Sequence, residues 1–279
     1  MSDDPKSQLQ RHGLFPKHSF GQNFLADRRV CDRIAELAVP ESGGTVIEIG
    51  AGLGALTRPL LTRATKVIAI ERDRDMAAAL RLELTAELET GQLTLEEADA
   101  KQVDYATLAS HGPEPRVLAG NLPYQITVPL LELAVRHAGQ FVRCVFLVQL
   151  EVADRMAASA GSADYGGLTV FLQNRFQVRR ALVVKKGAFY PQPRVDSAVV
   201  ELVPLAEPLA EEDSLYRALV HGAFAQRRKK LRNAWQSVTS GDPQRLQGAA
   251  QAAGIDLDAR GETLSPGQFA AMRRALTQV

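Results

Sequence analysis

The chain is poor in cysteine: Cys31 and Cys144 are the only two in 279 residues. They lie far apart in apolar-patterned segments, so no disulfide framework is expected and both read as buried, reduced thiols of a cytoplasmic protein. No run of about 18 apolar residues occurs, which excludes a membrane-spanning helix. The opening "MSDDPKSQLQRHG" has two aspartates and no apolar core, so it is not a secretory signal; residues 1–16 are expected to form a short disordered lead-in. The five histidines (His12, His18, His111, His137, His221) show no ligand spacing and none pairs with a cysteine, so no metal is expected. A Walker loop and a GxSxG elbow are also missing. Charge of one sign is lacking too. Lys and Arg number 33 against 32 Asp and Glu, and the bulk balance therefore says nothing about nucleic acid.

What is present is globular: 46% hydrophobic and 23% charged residues, with a length that suggests about two domains. From Lys17 to about Leu205, β-rich runs alternate with helical patterns. Residues 45–50, 66–70, 93–98, 116–120 and 143–149 read as strands. Met76, Leu80, Leu84 and Leu88 put one helical face between Arg72 and Leu88. A further helix is expected from Thr127 as N-cap, with Pro129 in its first turn. Such alternation predicts parallel βαβ units in a doubly wound α/β sheet. Segments 176–184 and 196–204 have no helix between them and should finish that sheet as an antiparallel pair. "PLAEPLAEED" (204–213) is the linker candidate. Beyond it the pattern is helical, with Val220, Phe224, Leu231, Trp235 and Val238 on one stripe and a last helix from Ser265.

"TVIEIGAGLGALT" is a strand entering a glycine turn and a helix, where Gly50, Gly52 and Gly54 permit close backbone approach. Glu71 ends the next strand, placed to accept from ribose hydroxyls, and Asp99 follows the third, where it could accept from an adenine amine. The loop alone fits a nicotinamide-binding fingerprint as well as a methyltransferase. The fourth strand end, "NLPY", breaks the tie. Asn121 offers a side-chain carbonyl. Leu122 is held extended by Pro123, which fixes its backbone carbonyl, and Tyr124 supplies a ring to stack on a base. Two acceptors and a ring suit an exocyclic amine. Holding its N–H groups favours a tetrahedral nitrogen with a localised lone pair, with no charged base needed.

NLPY resembles the motif of amino-methyltransferases in the form found in rRNA adenine dimethyltransferases. The resemblance runs along nearly the whole chain, through "KHSFGQNFL" (17–25), "EIGAGLGALT", "QLEVADR" (149–155), "YGGLTV" (165–170), "FYPQPRVDSAVV" (189–200) and "FAQRRKKLRN" (224–233). It implies a Rossmann-like domain over 17–205, with a mostly parallel seven-stranded sheet and helices on both faces, and a small all-helical domain over 206–279. It also implies S-adenosylmethionine as methyl donor, bordered by Asn23 and Leu25. Phe189 would be the aromatic that holds a flipped base opposite Tyr124. The last motif points to the small-subunit branch, whose members dimethylate N6 of two adjacent adenosines in a hairpin near the 3′ end of 16S rRNA. The rivals are the antibiotic-resistance branch acting on large-subunit rRNA, a nicotinamide oxidoreductase and a non-catalytic assembly factor. Leu150 stands where the family usually has a basic residue, and Ala98 replaces a common glycine.

Arg227, Arg228, Lys229, Lys230 and Arg232 crowd five cations into six residues. With an rRNA partner these are natural phosphate contacts. A monomer is the expected state.

Overall fold

The computed structural model describes residues 4–17, 20–226 and 228–278. Nine strands occur among them: β1 (Phe24–Leu25), β2 (Thr45–Ile49), β3 (Lys66–Glu71), β4 (Leu93–Glu97), β5 (Arg116–Asn121), β6 (Arg143–Gln149), β7 (Phe176–Val184), β8 (Phe189–Tyr190) and β9 (Ser197–Pro204). Seven form one sheet in the order β4-β3-β2-β5-β6-β9-β7, and β1 pairs with β8 in a separate ribbon. β4 to β6 are joined in parallel, and β9 runs antiparallel to β6. Every residue of β2 is buried, as expected of a central strand covered on both faces. The late antiparallel strand is therefore inserted between β6 and β7, and β7 becomes the edge.

The chain leaves β2 towards β3 on one side and later returns to place β5 on the other. The order thus reverses between β2 and β5, and a crevice opens at their carboxyl ends. Helices α2 (Arg28–Ala38) and α3 (Thr57–Leu61) supply Ile34, Ala35 and Leu60 to the main core, packed with Val46, Val67 and Val145 from the sheet. The helix expected over 72–88 is broken in two, α4 (Arg74–Glu83) and α5 (Thr85–Glu89), with Leu84 at φ −124° between them. After α6 (Tyr105–Ser110) comes α7 (Thr127–Arg136), in which Thr127 is the first helical residue rather than the cap, its hydroxyl donating to the Pro123 carbonyl across the preceding turn.

The lead-in also differs from expectation, since Pro5–Arg11 forms helix α1. Asp4 accepts from the Ser7 amide as N-cap, and Pro5 opens the helix where no N–H is needed. Leu9 then buries itself with Phe24, Leu53, Met76 and Ala79. One leucine in a polar segment is too little periodicity to announce this from sequence.

The chain divides into two compact units, Met1–Ala153 with Arg179–Pro204, and Asp154–Val178 with Leu205–Val279. Residues 154–178 contribute Ala158, Tyr165 and Val170 to the core that Tyr216, Trp235 and Phe269 build in the second unit, so a single break near 205 does not describe it. After α8 (Leu150–Met156), which follows β6, the second unit contains α9 (Gly167–Gln173), α10 (Ser214–Ala225), α11 (Leu231–Ala234), α12 (Pro243–Ala252) and α13 (Pro266–Gln278). The apolar stripe expected as one helix is split between α10 and α11, yet Val220, Leu231 and Trp235 meet in one core.

Candidate active site

A cavity occupies the crevice between β2 and β5. Asn23, Leu25, Gly50, Gly52, Glu71, Asp99, Asn121, Leu122, Pro123 and Tyr124 all line it. Parallel register explains part of this. Ile49 lies beside both Ile70 and Gly120, so the residues that follow β2, β3 and β5 emerge at one level. The glycine loop needs its glycines: Gly50, Gly52 and Gly54 have φ of 75°, 56° and 84°. A Cβ on Gly52 would come within 3.2 Å of Phe24, and one on Gly54 within 2.7 Å of Leu80.

On the acidic side, Glu71 is buried. It accepts from the Gly52 amide at 2.7 Å and the Asp73 amide at 2.8 Å. It thus ties the glycine loop to the end of β3. Burial raises its carboxyl, and the two amides oppose that rise. Asp99 lies next to it, since the preceding Ala98 amide donates to the Glu71 carbonyl at 3.1 Å. One of its oxygens accepts from the Lys101 amide at 3.0 Å in an Asx turn, and Arg72 stands 3.4 Å from the other.

Glu48 also lines the cavity and was not singled out from sequence. It sits in β2 between Ala69 and Ala119 of the flanking strands, two small residues that leave it room. Its Oε2 has no hydrogen-bond partner, nor has the neighbouring Thr57 hydroxyl. Burial pushes the Glu48 carboxyl up to about 7; the Thr57 hydroxyl, close by but outside hydrogen-bonding geometry, opposes the rise and the charge of Glu71 adds to it. A lone carboxylate inside an apolar strand was the signal that could have found it. An orphaned buried oxygen, a loop stripped of side chains and acids at two further strand ends fit a ligand that brings hydroxyl, amine and ammonium donors.

On the other side of the cavity, Asn121 donates through Nδ2 to the Asn23 carbonyl at 3.0 Å. A carbonyl can only accept, so this contact fixes the amide: Nδ2 is engaged and Oδ1 is left as the acceptor. The Pro123 carbonyl is taken by the Ile126 amide and the Thr127 hydroxyl. Among the described residues no donor takes the Leu122 carbonyl. The Tyr124 hydroxyl is tied to Ser197 Oγ at 2.8 Å, which holds the ring, and burial pushes its ionisation up. Phe20 and Gln22 also line the cavity but carried no distinguishing pattern.

Phe189 is not among the lining residues. It is paired with Leu25 in the β1–β8 ribbon, 4% exposed, and belongs to the main core. The cationic run belongs to the second unit. Arg228, Lys229, Lys230 and Arg232 are exposed. Lys230 and Arg232 share Asp258, at 3.1 and 2.7 Å. Arg227 lies outside the described residues.

A glycine loop, two acids at successive strand ends and an acceptor-rich fourth strand end on this sheet define a Rossmann-like methyltransferase that acts on an amine. A family model described as ribosomal RNA adenine dimethylase matches residues 15–278, and the chain belongs to that family. Ribosomal RNA small subunit methyltransferase A from Anaeromyxobacter sp. (strain K) is 46% identical, covering 98% of this chain and 97% of the relative. The protein of that description from Myxococcus xanthus is 39% identical over 98% and 95%. Among solved structures, a dimethyladenosine transferase from Plasmodium falciparum superposes with a TM-score of 0.74 at 25% identity, covering 89% of this chain and 95% of that one. The 23S rRNA methyltransferase ErmE gives 0.69 at 29% identity, over 92% and 100%.

Proposed function

We propose that the protein uses S-adenosylmethionine to dimethylate N6 of two adjacent adenosines in the 3′-terminal hairpin of 16S rRNA, in the cytoplasm and as a monomer. The observation that carries the chemistry is the Asn121 amide, whose orientation is set by the Asn23 carbonyl. Its Oδ1 and the Leu122 carbonyl would accept the two N–H groups of the target amine. Adenine N6 is a poor nucleophile because its lone pair is delocalised into the ring. Two fixed acceptors favour the tetrahedral nitrogen, so they stabilise the transition state more than the planar ground state. Tyr124, held by Ser197, would stack on the base brought out of its helix.

The donor supplies an electrophilic methyl on a sulfonium. Glu71 would accept from its ribose hydroxyls and Asp99 from its adenine amine, while Gly50 and Gly52 allow backbone approach; Asn23 and Leu25 border it. Glu48, with its orphaned Oε2, would meet the donor's polar end. No residue here needs to act as a charged base, since N6 sheds its proton to solvent after transfer.

The small-subunit reading is favoured over the large-subunit one by relatives up to 46% identical, against 29% for ErmE. Incubating the protein with radiolabelled S-adenosylmethionine and unmethylated small subunits tests it. The expected product is dimethyladenosine in 16S rRNA. Absence of label in rRNA adenines would refute the enzyme reading, and label in 23S rRNA would move the protein to the resistance branch.

A further inference from the structure

Asp73 follows Arg72 after β3 and is 2% exposed, and the chemistry proposed above does not use it. Its carboxylate gathers more partners than a helix cap requires. Oδ1 accepts from the Asp75 amide at 3.1 Å, which caps α4, and also from Lys17 Nζ at 2.7 Å. Oδ2 accepts from Gln22 Nε2 at 2.7 Å. The Gln22 oxygen in turn accepts from the Lys17 backbone amide at 2.8 Å, so Lys17, Gln22 and Asp73 close a ring of bonds. Burial disfavours the charge on Asp73, but Lys17 and Gln22 outweigh it and hold the carboxyl below the ordinary aspartate range. Its own amide donates to Glu71.

Gln22, held in this way, belongs to the stretch that borders the active site. Phe20 to Leu25 line the cavity. Phe24 lies against Gly52 of the glycine loop, and the Asn23 carbonyl orients Asn121. Asp73 thus stands one hydrogen-bonded residue away from the backbone that aims the amide.

We propose that Asp73 is a positioning residue for methyl transfer: by holding Lys17 and Gln22 it fixes residues 20–25 over the cavity and keeps the Asn121 oxygen aimed at the target amine. This rests on the functional reading given above. It differs from a capping role in what it predicts.

The Asp73→Asn amide can still accept from the Asp75 N–H, so the cap persists. It loses one of the two carboxylates that hold Lys17 Nζ, leaving Asp75 at 2.6 Å as the other, and turns one oxygen into a donor facing the Gln22 amide. Gln22→Glu alone sets two carboxylates against each other. The pair Asp73→Asn with Gln22→Glu restores an amide-to-carboxylate bond with its direction reversed and returns a second negative charge, beside that of Asp75, to the surroundings of Lys17.

Two readouts apply to the wild type, the single variants and the pair. One is the rate of trypsin cleavage after Lys17, followed by mass spectrometry on the full-length protein with neither donor nor rRNA present. The other is kcat and KM for unmethylated small subunits at saturating donor. Asp73→Asn is expected to speed the cleavage and to lower kcat about tenfold to a hundredfold, since small misplacements at a reacting centre have effects of that size. KM for the subunit stays within about twofold, and the pair recovers both properties to a degree expected of directly coupled residues. A pair as impaired as the single variants overturns the proposal. So does a kcat loss without faster cleavage, or a change confined to melting temperature, which would leave Asp73 as the cap of α4. A wild type that labels no rRNA overturns the functional reading, whereas the cleavage rates then still report whether Asp73 holds the segment.

Discussion

The cavity at the end of β2 and β5 and the cationic run that leads into α11 are both proposed for recognition, yet they are built in opposite ways. The cavity uses few charges, buries Glu48 and Glu71 among them, and fixes Glu71 through the Gly52 and Asp73 amides. The run uses many charges, all exposed among the described residues, with Lys230 and Arg232 paired to Asp258. Preorganised dipoles in a dry site act strongly at short range and are barely screened by salt. Exposed cations on a polyanion act by releasing counterions and respond steeply to salt. The first arrangement suits discrimination of a single amine, the second affinity for a long phosphate backbone.

The contrast breaks most sharply at Asn121. Replacing it with alanine removes one of two acceptors, and losing one such preorganised group lowers turnover about a hundredfold to a thousandfold. Donor affinity, measured by calorimetry without rRNA, should change only a few fold by the same logic of differential binding. Turnover near wild type would mean that Asn121 does not hold the amine.

Glu48 sharpens the comparison through pH. Its folded carboxyl, at about 7 against a reference of 4.5, holds its proton more tightly than in the unfolded chain. Its contribution to stability is therefore fully present below about pH 4.5 and is lost as pH rises through 7. A shift of this size corresponds to about 3 kcal/mol. Glu48→Gln should remove that dependence, so the variant gains on wild type between pH 5 and 8 in denaturant unfolding. Parallel pH profiles for the two proteins would show that Glu48 does not titrate in this window.

The smallest effect is expected in the run. Changing Arg228 and Lys229 to alanine should weaken subunit binding by about tenfold at moderate salt and reduce the log–log salt slope by about 1.5 to 2, as removing two phosphate contacts does. Donor affinity should be unmoved. The same slope with both residues removed would exclude them from the RNA contact.

The strands of the large sheet were legible because a buried strand must be a short apolar run between turn signals, and "TVIEIG" or "RCVFLVQ" has little else it can be. The glycine loop and NLPY were legible because each demands residue types a plain turn would not. Less was legible where one residue carries the decision. Leu9 is the one apolar core residue that α1 contributes, and Leu84 interrupts the helix after Asp73. Glu48 was visible as an acid among apolar neighbours but has no partner in sequence to say what it faces.

By itself the sequence determined the α/β alternation, the helical tail and the chemical character of four strand ends, since periodicity and turn chemistry are local properties. The tertiary structure decided which of those ends meet. The reversal of strand order between β2 and β5 sets the glycine loop beside NLPY, and nothing in either motif specifies that neighbour. It also decided the direction of the Asn121 amide, through a carbonyl 98 residues away, and it placed Phe189 in the core beside Leu25 instead of in the cavity. Side-chain orientation follows from contacts distant in the chain, and those exist only once the sheet has closed.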